Sequence, residues 1–142
     1  MTIDLHPRRC NICGGEVIFT SNANIYGREY GSGRCYRCTE CGAYVGTHEP
    51  RPEEALGILA DSEMRMLKVE AHNLFDQLWL SKKDRRTARK QAYAWLAEQM
   101  GVSQEMCHFG YFDKGQLTTA LSILNRRIEN DHTSAHKDKE KK

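Results

Sequence analysis

The sequence has no long hydrophobic run, and this absence argues against a membrane-spanning helix. A transmembrane helix needs about 20 consecutive, mainly apolar residues, and no stretch of this chain approaches that length. The first nine residues, MTIDLHPRR, also lack the apolar core of a secretory signal peptide. We therefore expect an intracellular, cytoplasmic protein without membrane contacts.

The sequence also lacks a large excess of either charge. Its 142 residues include 21 lysines and arginines and 19 aspartates and glutamates, which gives a formal net charge of +2. Proteins that bind nucleic acids through a general electrostatic field are usually much more basic than this. Nucleic-acid binding by this chain would therefore depend on a local cluster of basic side chains.

Proline is scarce, and its distribution suggests where one part of the chain ends. Two of the three prolines, Pro50 and Pro52, lie in the stretch EPRPEE. Two prolines so close together prevent a continuous helix or strand. We therefore predict a linker over residues 51–60, between an N-terminal module at 1–50 and a helical region at 61–129.

Cysteine, in contrast, is abundant at the start of the chain. Five of the six cysteines lie within the first 41 residues, in the motifs CNIC and CYRCTEC. In a reducing compartment such CxxC pairs indicate metal binding rather than disulfides. Their spacing is hard to explain if the cysteines are only buried apolar side chains. A tetrahedral metal site needs four of the five thiolates.

The glycines next to the cysteines indicate which four bind the metal. The turn of a CxxC knuckle favours glycine directly after its second cysteine, where a positive φ angle is easily adopted. Gly14 and Gly42 occupy that position in two of the three candidate knuckles, whereas Thr39 occupies it in the third. The predicted ligands are Cys10, Cys13, Cys38 and Cys41.

This ligand set leaves Cys35 as a spare thiol, and it indicates one structural Zn²⁺ ion. Four thiolates fill a tetrahedral zinc ion and leave no open position for a water molecule. They also bring the formal charge of the loaded protein close to zero. His48 is the alternative ligand, but we expect it to be an ordinary histidine.

Secondary-structure patterns place a small β-rich module before the helices. Short strands are predicted at 16–20 and 43–46, and a long turn-rich connection is predicted at 21–33. The charged residues 130–142 are expected to form a disordered tail. Amphipathic helices are predicted at 61–80, 86–101 and 113–130. The predicted fold class is α+β: a four-cysteine zinc ribbon of β-hairpins followed by a three- to four-helix bundle.

Four short segments of the chain form a specific combination. They are CGAYVGTH (41–48), AHNLFDQLW (71–79), AYAWLAEQMG (92–101) and CHFGYFD (107–113). In this order they resemble a family of bacterial and bacteriophage proteins that contain a zinc-finger domain of unknown function. The resemblance covers roughly residues 10–125.

The resemblance implies a bound zinc ion and a ligand set. The two CxxC pairs of the family pattern map onto Cys10, Cys13, Cys38 and Cys41, and Cys35 falls where the pattern has no ligand. A phage or mobile-element origin is also implied, but no reaction or substrate. The basic stretch before AYAWLAEQM and the charged tail depart from the pattern, so a function tied to them need not be shared.

Histidine and cysteine in the helical region raise the question of an enzyme. His72, Cys107, His108 and Asp113 could form a second metal site or a catalytic cluster, but most such histidines are structural. No Ser/His/Asp order, phosphate-binding loop or dinucleotide-binding pattern is present. We therefore expect a protein that is not an enzyme.

The strongest binding feature is the basic stretch KKDRRTARK at residues 82–90, which we call the basic helix start. Its cations are Lys82, Lys83, Arg85, Arg86, Arg89 and Lys90. Such a stretch is often only a solvated helix face. Cations near a helix N-terminus are electrostatically unfavourable, however, which suggests a functional reason for them. Arginines beside the cysteines could extend the surface: Arg8, Arg9, Arg34 and Arg37.

The leading hypothesis is a non-enzymatic zinc-binding protein that contacts nucleic acid or a nucleoprotein complex through the ribbon and the basic helix start. The alternative is a protein-interaction module, such as a phage-encoded inhibitor or adaptor of a host protein. An enzyme that uses His72 and His108 is the least favoured class. Nucleic-acid binding at low salt separates the first two, whereas a second bound metal would favour the third.

Overall fold

The computed structural model describes residues 3–140, with side chains described as far as residue 131. The chain divides into two compact units. The first runs to Met66 and includes Gly110–Asp113, whereas the second contains Leu67–Phe109 and the chain from Lys114 onward. The predicted α+β class is confirmed, because a small antiparallel sheet with four close cysteines precedes a helical region.

A three-stranded antiparallel sheet forms the centre of the first unit. Its strands are β1 (Val17–Ser21), β2 (Arg34–Cys38) and β3 (Tyr44–Gly46), in the order β1-β2-β3. β1 and β3 lie within one residue of the predicted strands. The sequence patterns do not predict β2, because RCYRC shows no alternation of apolar and polar residues.

The connection between β1 and β2 contains the short helix α1 (Ala23–Tyr26), which ends at Gly27 with a φ angle of 83°. The buried Asn22 holds this connection against the next turn. Its Nδ2 donates to the carbonyl of Tyr30 at 2.8 Å, and its Oδ1 accepts from the N–H of Tyr30 at 3.1 Å. The predicted turn-rich connection is therefore an ordered segment.

The strand register gives the sheet two different faces. One face contributes to the core of the first unit, which comprises Cys10, Val17, Tyr36, Cys38, Ala43, Val45, Ala55 and Leu59. On the other face, Ile18, Arg37 and Tyr44 form a row across the three strands. Ile18 is 41% exposed, so this second face is partly open to solvent.

Residues 51–60 pack onto the first unit, although the prolines predicted a linker there. Ala55, Leu59 and Ala60 are each 1% exposed. Ala60 exchanges two backbone hydrogen bonds with Tyr44, of 3.0 and 3.2 Å. The first unit therefore extends past the predicted N-terminal module, because small and apolar side chains after the prolines complete its core.

Three longer helices follow the sheet: α2 (Ser62–Asp76), α3 (Arg85–Met100) and α4 (Lys114–Glu140). The buried side chains of the second unit include Ala71, Phe75, Leu96, Phe109, Leu117 and Leu124. Helix α3 begins after Asp84, whose carboxylate accepts from the N–H of Thr87 at 3.1 Å. It ends at Gly101, whose φ angle is 69°. The predicted C-terminal stop of this helix is confirmed.

Helix α2 begins as predicted but ends four residues early. The carboxylate of Asp61 accepts from the N–H of Met64 at 2.8 Å and caps the first turn. After Asp76 the backbone tightens, because the N–H of Gln77 bonds to the carbonyl three residues before it, at 3.2 Å. The segment up to residue 80 therefore forms turns, although its apolar spacing predicted a helix.

Helix α4 continues to Glu140, where the charged composition of residues 130–142 predicted a disordered tail. Residues 141 and 142 lie outside the described residues. Adding residues to an existing helix costs less free energy than starting a new one, so a charged segment can continue α4. The i, i+4 pair of Arg127 and Asp131, at 3.8 Å, adds a small local contribution.

Candidate metal centre

Four cysteine sulfurs converge at one end of the sheet. The Sγ atoms of Cys10, Cys13, Cys38 and Cys41 all lie within 4.8 Å of one another. The Sγ atoms of Cys10 and Cys41 are 3.7 Å apart, and those of Cys13 and Cys38 are 3.4 Å apart. A tetrahedral zinc ion with Zn–S distances of about 2.3 Å places its sulfurs about 3.8 Å apart, so the cluster fits this ion.

Backbone N–H groups point at the sulfurs in both knuckles. In the first, the N–H groups of Ile12 and Gly15 lie 3.3 Å from the sulfurs of Cys10 and Cys13. In the second, the N–H of Glu40 lies 3.4 Å from the sulfur of Cys38. Such donors stabilise thiolates, which are the form that binds zinc.

The positive φ angles expected after the second cysteines are present. Gly14 has a φ of 77° and Gly42 a φ of 78°. An added Cβ at either glycine would meet nothing within 4 Å, so the requirement for glycine is conformational rather than steric. The backbone geometry therefore agrees with the choice of these two knuckles from the positions of their glycines.

The sulfur of Cys38 has the most favourable environment for a thiolate. The backbone N–H of Cys41, and after it that of Glu40, lower the pKa of the Cys38 thiol to about 6. Cys38 and Cys10 are buried, whereas Cys13 and Cys41 are exposed. Each knuckle thus supplies one buried and one exposed cysteine, and the metal would link the sheet to the protein surface.

Asn11, which no sequence pattern singled out, lies inside the first knuckle. Its Nδ2 donates to the carbonyl of Leu59 at 3.0 Å, and its Oδ1 accepts from the N–H of Leu59 at 2.9 Å. This pair of bonds ties the knuckle to the segment that was predicted as a linker. The available sequence signal was a polar residue between two metal ligands, but this signal does not indicate which distant residue it contacts.

Cys35 and His48 lie outside the cluster. Cys35 is three residues from Cys38 on the same strand, so their side chains lie on opposite faces of the sheet. Cys35 is 1% exposed, and burial raises the pKa of its thiol. His48 is not part of any group of close metal-binding side chains within the described residues.

The helical residues considered for a second site form no metal cluster among the side chains that the structure describes. The ring of His72 packs 4.6 Å from that of Phe109, and burial lowers the pKa of His72. Burial raises the pKa of Cys107 to about 11, which keeps it a neutral thiol. His108 packs near Tyr93, at 6.1 Å between ring centroids, whereas Asp113 belongs to the first unit.

The predicted basic residues lie on the surface of their own units. Arg8, Arg9 and Arg34 are exposed and Arg37 is partly exposed, all in the first unit. The six cations of the basic helix start are exposed in the second unit. No ion pair described for the chain includes any of these ten residues.

Comparison with known families agrees with this geometry. The model of one family, described as a zinc-finger-containing domain, matches residues 6–127. No curated protein and no solved structure shows significant similarity to the chain. Within the described residues, no helix is long and apolar enough to cross a membrane. The family match and the four close cysteines together support one structural zinc ion.

Proposed function

The chain belongs to the family of zinc-finger-containing domains, and we propose that it is a non-enzymatic protein that contacts nucleic acid or a nucleoprotein complex. The observation that carries the proposal is the basic helix start. It holds six exposed cations in nine residues, and no ion pair described for the chain neutralises any of them.

The single acidic residue in this stretch, Asp84, caps the helix rather than pairing with the cations. Its carboxylate accepts from the hydroxyl of Thr87 at 2.7 Å and from the N–H of the same residue, and these bonds lower the pKa of Asp84. This is the ordinary role of an N-cap residue. The neighbouring cations repel one another and the positive end of the helix, and an anionic partner would relieve that repulsion.

Arg89 differs from the other five cations. Its guanidinium lies 5.7 Å from the ring centroid of Trp79 and 5.0 Å from that of Tyr93. These contacts fix the position of one positive charge on the surface of the second unit. An arginine held by two aromatic rings beside exposed lysines suits the binding of a phosphate backbone, where position matters more than sequence.

The non-enzymatic part of the proposal is supported by the ligand chemistry. Four thiolates occupy every position of a tetrahedral zinc ion, so the metal has no place for a substrate or an activated water. The ion would stabilise the fold of the first unit, since metal binding and folding are coupled in small zinc modules.

Binding to fluorescently labelled DNA and RNA between about 50 and 200 mM salt tests the proposal. We expect little dependence on base sequence, a Kd no tighter than about micromolar at physiological salt, and a steep loss of affinity as salt rises. Changing Lys82, Lys83, Arg85 and Arg86 to Glu should abolish binding. Zinc content and far-UV circular dichroism should not change, because exposed charges contribute little to stability.

A matched pair of variants separates a local site from net charge. Lys82→Gln with Lys83→Gln removes two positive charges from the basic helix start. Gln77→Glu with Gln99→Glu changes the net charge equally at exposed positions of the same unit. We expect only the first pair to weaken binding strongly. Equal losses, or no binding by the unmodified protein at about 50 mM salt, would show that the proposal is wrong.

The near-neutral formal charge favours a second candidate, a protein-interaction module such as an inhibitor or adaptor of a host protein. A general electrostatic binder of nucleic acid is usually more basic. This candidate predicts a stable complex with one host protein that survives nuclease treatment. It also predicts that the unmodified chain binds neither DNA nor RNA at low salt.

A further inference from the structure

The partly open face of the three-stranded sheet carries adjacent aromatic rings. Tyr44 belongs to the row across the sheet, and α1 places Tyr26 next to it, with 6.2 Å between ring centroids. Tyr30 follows in the next turn, 5.7 Å from Tyr26. Tyr26 is 51% exposed and Tyr30 is 48% exposed. We call Ile18, Tyr26, Tyr30, Arg37 and Tyr44 the aromatic face.

The three tyrosine rings form an ordered arrangement. Tyr26 is nearly perpendicular to both neighbours, with interplanar angles of 85° to Tyr30 and 87° to Tyr44. Edge-to-face packing of this kind is a favourable geometry for aromatic pairs. Burial raises the pKa of the Tyr26 phenol further above neutral pH, where tyrosine is already uncharged, so the ring does not repel an anion.

Arginines hold the outer two rings. The guanidinium of Arg28 lies 4.7 Å from the ring centroid of Tyr30, and its Nε donates to the phenol oxygen at 2.7 Å. The guanidinium of Arg65 lies 4.1 Å from the centroid of Tyr44, and it donates to the carbonyl of Ala60 at 2.7 Å. Both arginines are therefore positioned by their own contacts before any ligand arrives.

The arginines of this surface form no ion pair among the residues that the structure describes. No ion pair described for the chain includes Arg28, Arg37 or Arg65. The nearby carboxylate of Glu29 accepts a hydrogen bond from the hydroxyl of Ser21 at 2.7 Å. Tyrosine rings and arginines without a described ion pair therefore lie side by side on this surface, whereas the centre of a typical protein–protein interface is depleted of charge.

We propose that the aromatic face binds single-stranded nucleic acid, with bases stacked on its tyrosine rings and phosphates beside its arginines. Bases of a single strand expose their flat faces, whereas those of a duplex are already stacked on one another. Aromatic side chains on an open sheet are a suitable platform because every base can stack on them. This inference rests on the proposed function. It adds that the ribbon prefers single-stranded to double-stranded nucleic acid.

Anisotropy titrations with a labelled 20-nucleotide single strand, alone and annealed to its complement, test the inference. Tyr26→Ala and Tyr30→Ala should each weaken binding to the single strand about tenfold, because one stacking contact is lost. Binding to the duplex should change less than twofold. Tyr26→Phe is the matched control, because it keeps the ring, and it should bind the single strand as well as the unmodified protein does.

The outcomes distinguish this inference from the proposed function. If the protein binds neither strand form, both are overturned. Another outcome overturns only the aromatic face. In that case the protein binds the single strand and the duplex equally, and reversing the charges of the basic helix start abolishes both. Tyr26→Ala and Tyr30→Ala then leave both affinities unchanged. Zinc content and circular dichroism of each variant show whether the fold is intact.

A crosslinking experiment on the unmodified protein does not depend on the stability of any variant. A single strand that contains 5-bromouracil crosslinks to aromatic side chains in contact with its bases when irradiated. We expect peptides that contain Tyr26 or Tyr30 to carry the crosslink. Crosslinks confined to residues 82–90 would overturn the inference and support the basic helix start as the binding site.

Discussion

The two cysteine knuckles share one backbone geometry, although their sequences, CNICGG and CTECGA, agree in little beyond the cysteines and one glycine. In the first, the N–H of Cys10 donates to the carbonyl of Gly15 at 2.9 Å. In the second, the N–H of Cys38 donates to the carbonyl of Ala43 at 2.8 Å. The repeated geometry shows which positions the metal centre requires and which are free to vary.

The knuckles differ at the second position after their last cysteine. Ala43 is 1% exposed and its methyl group belongs to the core. An added Cβ at the equivalent Gly15 would lie 2.5 Å from Oε2 of Glu40 and 3.0 Å from Sγ of Cys38. The space at Gly15 is therefore limited by the second knuckle, which in this way restricts the sequence of the first.

Removing a cysteine ligand should reduce zinc affinity more than any other change, and by the same factor in either knuckle. Cys13→Ser and Cys41→Ser should each lower zinc affinity roughly a hundredfold or more, because about 10–16 kcal/mol of binding free energy is shared among four ligands. Competition with a chromophoric chelator measures this loss. A large loss for one exposed cysteine and none for the other would show that the knuckles are not equivalent.

Replacing the positive-φ glycines should have the next largest effect. Gly14→Ala and Gly42→Ala should each cost about 1–2 kcal/mol, because L-residues are strained in the left-handed region. The cost should be the same in both knuckles, since neither site has steric neighbours. Chemical denaturation of the zinc-loaded protein and chelator competition measure it.

Gly101→Ala is the control for this prediction. Gly101 also has a positive φ and no neighbour within 4 Å of an added Cβ, but it caps helix α3 in the second unit. Gly101→Ala should lower the free energy of unfolding by a similar amount and leave zinc affinity unchanged. Unequal losses of zinc affinity at Gly14 and Gly42 would contradict the shared geometry.

A substitution at Gly15, the position where the knuckles differ, should have a smaller effect on zinc affinity. Gly15→Ala should weaken zinc binding by about 1 kcal/mol, because the methyl group forces a shift of Glu40 and of the sulfur of Cys38. The double variant Gly15→Ala with Glu40→Ala separates the two contacts. If the double variant recovers full zinc affinity, the carboxylate of Glu40 rather than the sulfur of Cys38 is the obstacle. If Gly15→Ala alone leaves zinc affinity unchanged, the restriction across the site is wrong.

The spare thiol should show the smallest effect on the metal. Cys35→Ala should leave zinc stoichiometry and affinity unchanged, because its side chain lies on the face of the sheet opposite Cys38. The cavity left by the sulfur should cost about 1 kcal/mol of unfolding free energy. Loss of zinc from this variant, measured by metal analysis, would mean that the sequence contains a different ligand set.

The metal centre was predictable from sequence because its determinants are local. The rule that glycine follows the second cysteine selected Gly14 and Gly42 without any knowledge of the fold. The start of α2 at Asp61 and the end of α3 at Gly101 were predictable for the same reason, because caps act within one turn.

Features that depend on distant contacts were not predictable. Residues 51–60 belong to the first unit because the side chain of Asn11 bonds to Leu59, 48 positions away. Strand β2 forms because β1 and β3 flank it, and its own sequence shows no strand pattern. The aromatic face arises from the register of three strands together with α1, which no local motif encodes.

Metal analysis of protein purified without added zinc tests the central claim most directly. We expect about one zinc equivalent per chain, and we expect removal of the zinc by a chelator to unfold the sheet of the first unit. Exchange of the amide hydrogens of β1–β3, measured by mass spectrometry before and after chelation, reports on that sheet. A chain that is metal-free as purified, or whose strands stay equally protected after chelation, would contradict a structural zinc centre.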